Sequence, residues 1–361
     1  MVAGSEAAHT TLAIELLRAL RGRRSQTAFS KFLGYRSNVA QRWESGHALP
    51  TAPRFLDLCS TLRLDVNGCF EHFYGRAPGW LADAGCRERQ VAAFLNDLRG
   101  KVPVNELARR LNKNRFSVAR WLGGQGQPRL DEFFELIEVS SGRLPDFIAG
   151  LVDPATLPSL ASKWSQLERA RAVAYEIPWS HAVLRALELP EVAAGGGATE
   201  SWLMERLGIS GQVLDETLSA LQHSGQIEQR GERYQAARMG DVDTGADPVR
   251  ARRLKAHWAG VALERLQLGG PGLFGYSLFT VAREDLQRIR DLQLEYVQQI
   301  NTIVAESSGE DCVGLFCTQV LDLSECGHNA LAPSARRDGA RPRRSRRPRP
   351  MLAGRRRMRR R

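Results

Sequence analysis

Displacing the sequence by 78 residues, with no gap, brings Phe29 onto Leu107, Leu33 onto Leu111, Trp43 onto Trp121, Gly46 onto Gly124, Pro50 onto Pro128, Phe55 onto Phe133, Leu58 onto Leu136 and Phe70 onto Ile148. An apolar frame, a Trp and a terminating Gly-to-Pro segment kept in register over that length mark a tandem duplication of one helical unit. The first copy carries the sharper pattern. Phe29, Phe32 and Leu33 share one helix face at i, i+3, i+4, Gly34 turns the chain, and a second helix opened by Arg36 or Ser37 sets Val39, Ala40 and Trp43 against the first before Ser45-Gly46 ends it. Leu12, Ile14, Leu16, Leu17 and Leu20 predict a preceding helix from Thr11 to about Gly22, with residues 1–10 polar and frayed.

Charge gives this helix pair a partner. From Leu17 to Trp43 the ionised side chains are Arg18, Arg21, Arg23, Arg24, Lys31, Arg36 and Arg42, with no acid among them. Positive charge around a short, polar-faced helix suits the major groove of double-stranded DNA, where phosphates are neutralised and base edges are read.

The stretch Ser25–Pro50 resembles the phage-repressor, or xenobiotic-response, class of helix-turn-helix. That pattern is met here by Gln26, Phe29-Ser30, Gly34, Glu44-Ser45-Gly46 and Pro50. The resemblance implies that Gln26 meets a phosphate while Ser37, Asn38, Gln41 and Arg42 face the groove. Asn and Gln can pair with adenine, and Arg with guanine. Arg23, Arg24 and Arg36 supply sequence-independent attraction. In the second copy Val104 stands for Gln26, Phe116 for Asn38, Ala119 for Gln41 and Leu122 for Glu44, whereas Arg120 matches Arg42 and Arg115 replaces Ser37. With Lys113, these arginines read as a phosphate-heavy DNA contact with reduced base readout. The other reading is a module used for packing or dimerisation through Phe116.

The remaining composition bounds the rest. No apolar run approaches the ~18 residues of a membrane span, and the N-terminus lacks a signal-peptide layout, so the expected compartment is the cytoplasm, at the nucleoid. Cys59, Cys69, Cys86, Cys312, Cys317 and Cys326 lack CxxC pairing and read as small buried thiols; with His328, the last three fit no common zinc spacing. The formal charge of +11 is a property of the end of the chain: residues 331–361 hold fourteen Arg and one Asp, a net +13, leaving −2 for the first 330 residues. That tail cannot bury a core and reads as disordered. Its Arg, Pro, Ala and Gly are equally what GC-rich codons give in a shifted frame.

Beyond the duplication, Gly75–Gly85 reads as a linker, Leu151–Pro158 as a connector and Ala193–Ala198 as a flexible loop. Thr199–Ala237 has a winged-helix pattern: two apolar helical stripes around Gly208, then short alternating strands around Gly231. Its second helix holds Asp215 and Glu216 and no Lys or Arg, which favours a structural or dimerising role. Pro248–Leu268 and Arg283–Glu306 predict amphipathic helices; Leu273–Val281 and Cys312–Leu323 predict strands. The segments YEIPWSHAVLRALEL, RLKAHWAGVALERL and SLFTVAREDLQRIRDL resemble a bacterial regulator family whose C-terminal part is a domain of unknown function. Trp258, Phe274, Tyr276 and Tyr296 could line a small-molecule pocket or belong to the core.

The expected architecture is therefore mainly α: two tandem repressor-like helix-turn-helix bundles (11–75 and 86–150), a winged-helix-like segment (160–240), a small C-terminal α+β domain (248–324) and a disordered Arg-rich tail (327–361). No nucleophile–base pair, nucleophile elbow, P-loop or metal set survives inspection, so no enzyme, cofactor or metal is expected. The expected function is sequence-specific transcription regulation, with the N-terminal pair on DNA and the C-terminal half forming a homodimer or sensing a small-molecule or protein effector. The alternative is an anti-repressor or antitoxin-like module that holds a partner protein.

Overall fold

The computed structural model describes residues 2–324, apart from 76, 84, 238–241, 243 and 246. Cys326, His328 and the Arg-rich tail lie outside the described residues. The duplicated half is helical throughout: α1 (Val2–Arg21), α2 (Gln26–Phe32), α3 (Val39–Glu44), α4 (Ala52–Thr61), α5 (Val66–Tyr74), α6 (Trp80–Asp83), α7 (Arg87–Arg99), α8 (Val104–Arg110), α9 (Arg115–Leu122), α10 (Leu130–Ser141) and α11 (Leu144–Ala149). The 78-residue displacement carries the end of α1 onto the end of α7, α2 onto α8 residue for residue, and the first residues of α4 and α5 onto those of α10 and α11. Side-chain caps set several of these starts: Ser25 accepts from the Ala28 N–H, Asp65 from Gly68 and Asn114 from Phe116.

The two copies are interleaved. Ala52 N–H donates to Pro128 O at 2.9 Å and Leu130 N–H to Pro50 O at 2.9 Å, closing an antiparallel bridge between Thr51 and Arg129. Each of these residues is paired with a counterpart of its own twin, so the bridge straddles an approximate two-fold axis. Around it α1 packs on α10 and α7 packs on α4, while α5 meets α11. One buried core results, from Leu12 to Leu160. Its centre is aromatic: Phe94 lies 5.0 Å from Phe70, 5.6 Å from Phe73 and 5.7 Å from Phe147 between ring centroids. Near the axis the Cys69 thiol donates to Phe147 O, and a Cβ on Gly150 would lie 2.8 Å from the Cys69 sulfur.

Two expectations in this half need correction. The helix α1 begins at Val2 and is held at the end of the expected frayed stretch: His9 is buried, and Thr10 Oγ1 donates to Asp131 Oδ2, in α10, at 3.1 Å. The Gly75–Gly85 segment holds α6, whose Trp80 ring sits 5.2 Å from Phe70 and 6.2 Å from Phe94. An aromatic anchored at mid-segment makes it part of the core.

After a 3₁₀ turn at Pro154–Thr156, α12 (Pro158–Glu176) packs along α1 and carries Arg171 into a buried pair with Asp146, whose carboxylate Arg143 also holds. There follow α13 (Trp179–Leu187), α14 (Pro190–Ala194), α15 (Glu200–Leu207), α16 (Gly211–His223), the antiparallel strands β1 (Ile227–Arg230) and β2 (Arg233–Ala236), α17 (Pro248–Gln267) and α18 (Arg283–Glu306). The helix–turn–helix–hairpin from α15 to β2 follows the winged-helix pattern, with Gly208 and Gly231 at positive φ in its turns. Ala193–Ala198 is not a free loop. Ala198 exchanges hydrogen bonds with Tyr234 at 3.0 and 2.8 Å, and Gly197, at φ 107°, passes so close that a Cβ would lie 2.4 Å from Tyr234 O.

The C-terminal α+β expectation fails in its β part: Leu273–Val281 and Cys312–Leu323 form no strand, and β1–β2 is the sheet of the described residues. A strand needs a hydrogen-bonded neighbour and an apolar layer beneath it. Here Leu273, Tyr276, Leu278, Leu321 and Leu323 are exposed. Phe274 and Tyr296 are likewise exposed, as are Cys86, Cys312 and Cys317, whereas Cys59 and Cys69 are the buried thiols. By internal contacts the chain divides into one unit of residues 1–280 with 295–317 and a second that starts with 281–294 and resumes at 318. In the second, Leu286 is buried and Gln293 Nε2 donates to Thr318 Oγ1 at 3.0 Å. No helix among the described residues is long and apolar enough to cross a membrane.

Because α1 and α4 find partners in the other copy, a fragment of residues 1–84 should show no cooperative thermal transition by circular dichroism. A fragment of residues 1–176 should melt in a single step.

Candidate nucleic-acid interface

The short helix α3 is held by one acid. Glu44, 6 % exposed, ends the helix and receives Arg21 Nε at 2.5 Å, Arg21 Nη2 at 3.2 Å and Gln26 Nε2 at 2.9 Å, with Arg18 Nε 3.7 Å away. Burial pushes its carboxyl up, but the bonds from Arg21 and Gln26 and the charges of Arg21 and Arg18 outweigh that and leave it below 4.5. This carboxylate ties α1, α2 and α3 together. Above it, Tyr35 meets Trp43 edge-on at 5.8 Å and accepts a 2.6 Å hydrogen bond from Arg54 Nε.

The arrangement sorts the cations. Arg18 and Arg21, counted from sequence as uncompensated, belong to the Glu44 network. Arg23, Arg24, Lys31, Arg36 and Arg42 are exposed and make no ion pair within the described residues, with Arg24 lying over the Phe32 ring at 4.9 Å. Arg54, over Tyr35, adds a cation that sequence reasoning overlooked.

The polar set is also divided. Asn38, rather than Arg36 or Ser37, opens the helix: its Oδ1 caps the Gln41 N–H at 3.3 Å and lies 3.2 Å from Ser30 Oγ, leaving its amide N–H groups for an outside acceptor. Gln26 spends an amide N–H on Glu44. Ser37, Gln41 and Arg42 are exposed, and their side chains bond to nothing in the described residues. Of the sequence-derived readers, Ser37, Gln41 and Arg42 thus have their full bonding capacity open, the latter two with the longer reach.

The second copy presents a different surface. Its cap moves to Asn114, so α9 begins two residues earlier than the displacement of α3 would give. Arg115 lies over the ring of Phe116, which is 66 % exposed. Lys113 is drawn to Glu132 at 4.0 Å and is half-buried. Arg109 and Arg110 both pair with Glu106, and their hydrogen bonds hold its carboxyl near 2. Arg115 and Arg120 have no acidic partner among the described residues; the Arg120 guanidinium reaches Gln125 O at 3.5 Å.

Residues 160–320 match a family model described as a domain of unknown function (DUF4423). The match starts in α12 and covers α13 to α16, the β1–β2 hairpin, α17 and α18, leaving both repeats outside it. Neither a curated protein nor a solved structure matches the chain.

Replacing Glu44 by Gln should lower stability by about 2–3 kcal/mol, since Arg21 then loses its charged partner beside a buried group. The contribution is fully present above the unfolded carboxyl value of 4.5 and is lost as pH falls through the depressed folded value. Wild-type and E44Q melting temperatures should therefore converge on acidification.

Proposed function

We propose that the chain is a sequence-specific DNA-binding transcriptional regulator that places α3 in the major groove. The observation that carries this reading is the outer face of α3, where Gln41 and Arg42 stand without partners in the described residues, on a helix locked from behind by Glu44 and ringed by Arg23, Arg24, Lys31 and Arg36. Cations that satisfy nothing inside the fold are free to neutralise phosphates, and a rigid helix can hold two long polar side chains at base edges. The buried core of a protein interface is depleted of charged residues, and this face is ringed by them.

The approximate two-fold symmetry supports an extension of that reading. Symmetric repressor dimers bind two half-sites, and here both units sit in one chain. The α3 half reads bases, while α9 contributes phosphate contacts through Arg115 and Arg120. Exposed Phe116 favours the other use of the second copy, contact with a partner protein. In the C-terminal half, exposed Leu273, Tyr276 and Leu278 support a role in homodimerisation or effector response.

Selection of bound fragments from random DNA, followed by fluorescence anisotropy, tests the assignment. Arg42→Ala should weaken specific binding by about 1–3 kcal/mol and relax preference at one position, whereas Arg23→Ala or Arg24→Ala should weaken binding to all sequences and flatten its salt dependence. Equal losses on selected and random DNA in all three variants would refute the placement of α3.

The footprint should exceed one helix-turn-helix unit. Changing Arg115 and Arg120 together to Glu should shorten it on one side and weaken binding most at low salt. An unchanged footprint would assign the second copy to packing or protein contact.

A further inference from the structure

We propose that a cleft among α13, α15, α17 and the segment around Val313 binds an organic carboxylate with an apolar body. The cleft holds ≈ 850 Å³, within the ~300–1,000 Å³ of small-molecule sites. Trp179, Trp258, Val261, Val313 and Leu315 give it apolar walls, and the two indoles meet edge-on at 5.3 Å.

One cation on the wall is positioned without being neutralised. Arg265 Nη2 donates to Leu207 O at 2.7 Å and to Gly208 O at 3.1 Å, the carbonyls that close α15. No carboxylate pairs with this guanidinium among the described residues. Gly208 suits this turn by its φ of +59°, and a Cβ there would lie 2.8 Å from both terminal nitrogens of Arg265, so a side chain at 208 would push the guanidinium aside. The backbone therefore makes room for the guanidinium and orients it, leaving Nε and Nη1 for an outside acceptor.

The other arginines of the lining have acids of their own: Arg185 is matched by Glu188 at 2.7 Å, and Arg206 lies 3.9 Å from Glu191 and leans over Trp202. Glu205 is the acid on the lining, and Arg265 must outweigh it for an anion to bind. One oriented, unmatched cation against an indole wall selects a monoanion with a hydrocarbon or aromatic body over a polyphosphate or a sugar. Binding at this cleft requires nothing of DNA. Its meaning as an effector site rests on the proposed regulator function.

Isothermal titration of the full chain with decanoate and with uncharged decanamide reads the proposal. Decanoate should bind at one site at least about tenfold more tightly than decanamide. Arg265→Gln should abolish that preference and leave decanamide binding intact, Arg265→Lys should keep part of the preference, and Trp258→Ala should weaken both ligands. Circular dichroism of each variant controls for the capping bonds that Arg265 also makes. Absence of saturable decanoate binding, equal affinity for the two probes, or a Gln variant that retains the preference would overturn the proposal. DNA affinity measured on the same samples is a separate readout: a chain that binds decanoate and no DNA would sink the regulator reading and leave the cleft standing.

Discussion

The pair of hydrogen bonds across Thr51 and Arg129 is the point about which the first half of the molecule is arranged. Two backbone N–H groups at the starts of α4 and α10 would lack intrahelical partners, and each finds the carbonyl before the other helix. Once those starts are joined, α1 can lie on α10 and α7 on α4, and Phe70, Phe73, Phe94 and Phe147 are brought into one cluster. Each copy is too short to cover its own aromatic residues well, and a core shared by both buries them together. The Arg171–Asp146 pair then fastens the following helix to that core.

The same half separates structural from available charge. Glu44 and Glu106 each gather two arginines, yet they do so differently: Glu44 is buried at the end of α3, whereas Glu106 binds Arg109 and Arg110 at the surface of α8. The first pairing makes a rigid platform. The second removes charge from the face that would otherwise resemble it. What distinguishes the two copies is thus the bonding of their arginines as well as their number.

Much of the secondary structure was legible because its signals are local. Gly34, Gly208 and Gly231, and the apolar spacing of α15 to α18 each act within a few residues, and the 78-residue repeat carried one copy's boundaries onto the other. What sequence did not disclose depends on distant partners. The Thr10 bond to Asp131, the Trp80 ring against Phe94 and the Ala198 pairing with Tyr234 turned an expected frayed end, a linker and a loop into packed structure. The failed strands at Leu273–Val281 and Cys312–Leu323 are the converse, since two segments flanking a helix promised a sheet that found no neighbour. At the candidate interface the residue types were readable, but the sorting of Arg18 and Arg21 from Arg23 and Arg24, and the use of Asn38 as a cap, required the position of Glu44 and Ser30.

Interleaving two copies within one chain also changes how their union responds to dilution. Separate subunits with the same contacts would part at low concentration, because their association is bimolecular and follows mass action. Here the equivalent step is closure of a loop in a single polymer, governed by chain entropy and independent of how many molecules share the compartment. The paired arrangement of α3 and α9 therefore persists when only a few copies are present, and it is lost by unfolding rather than by dissociation.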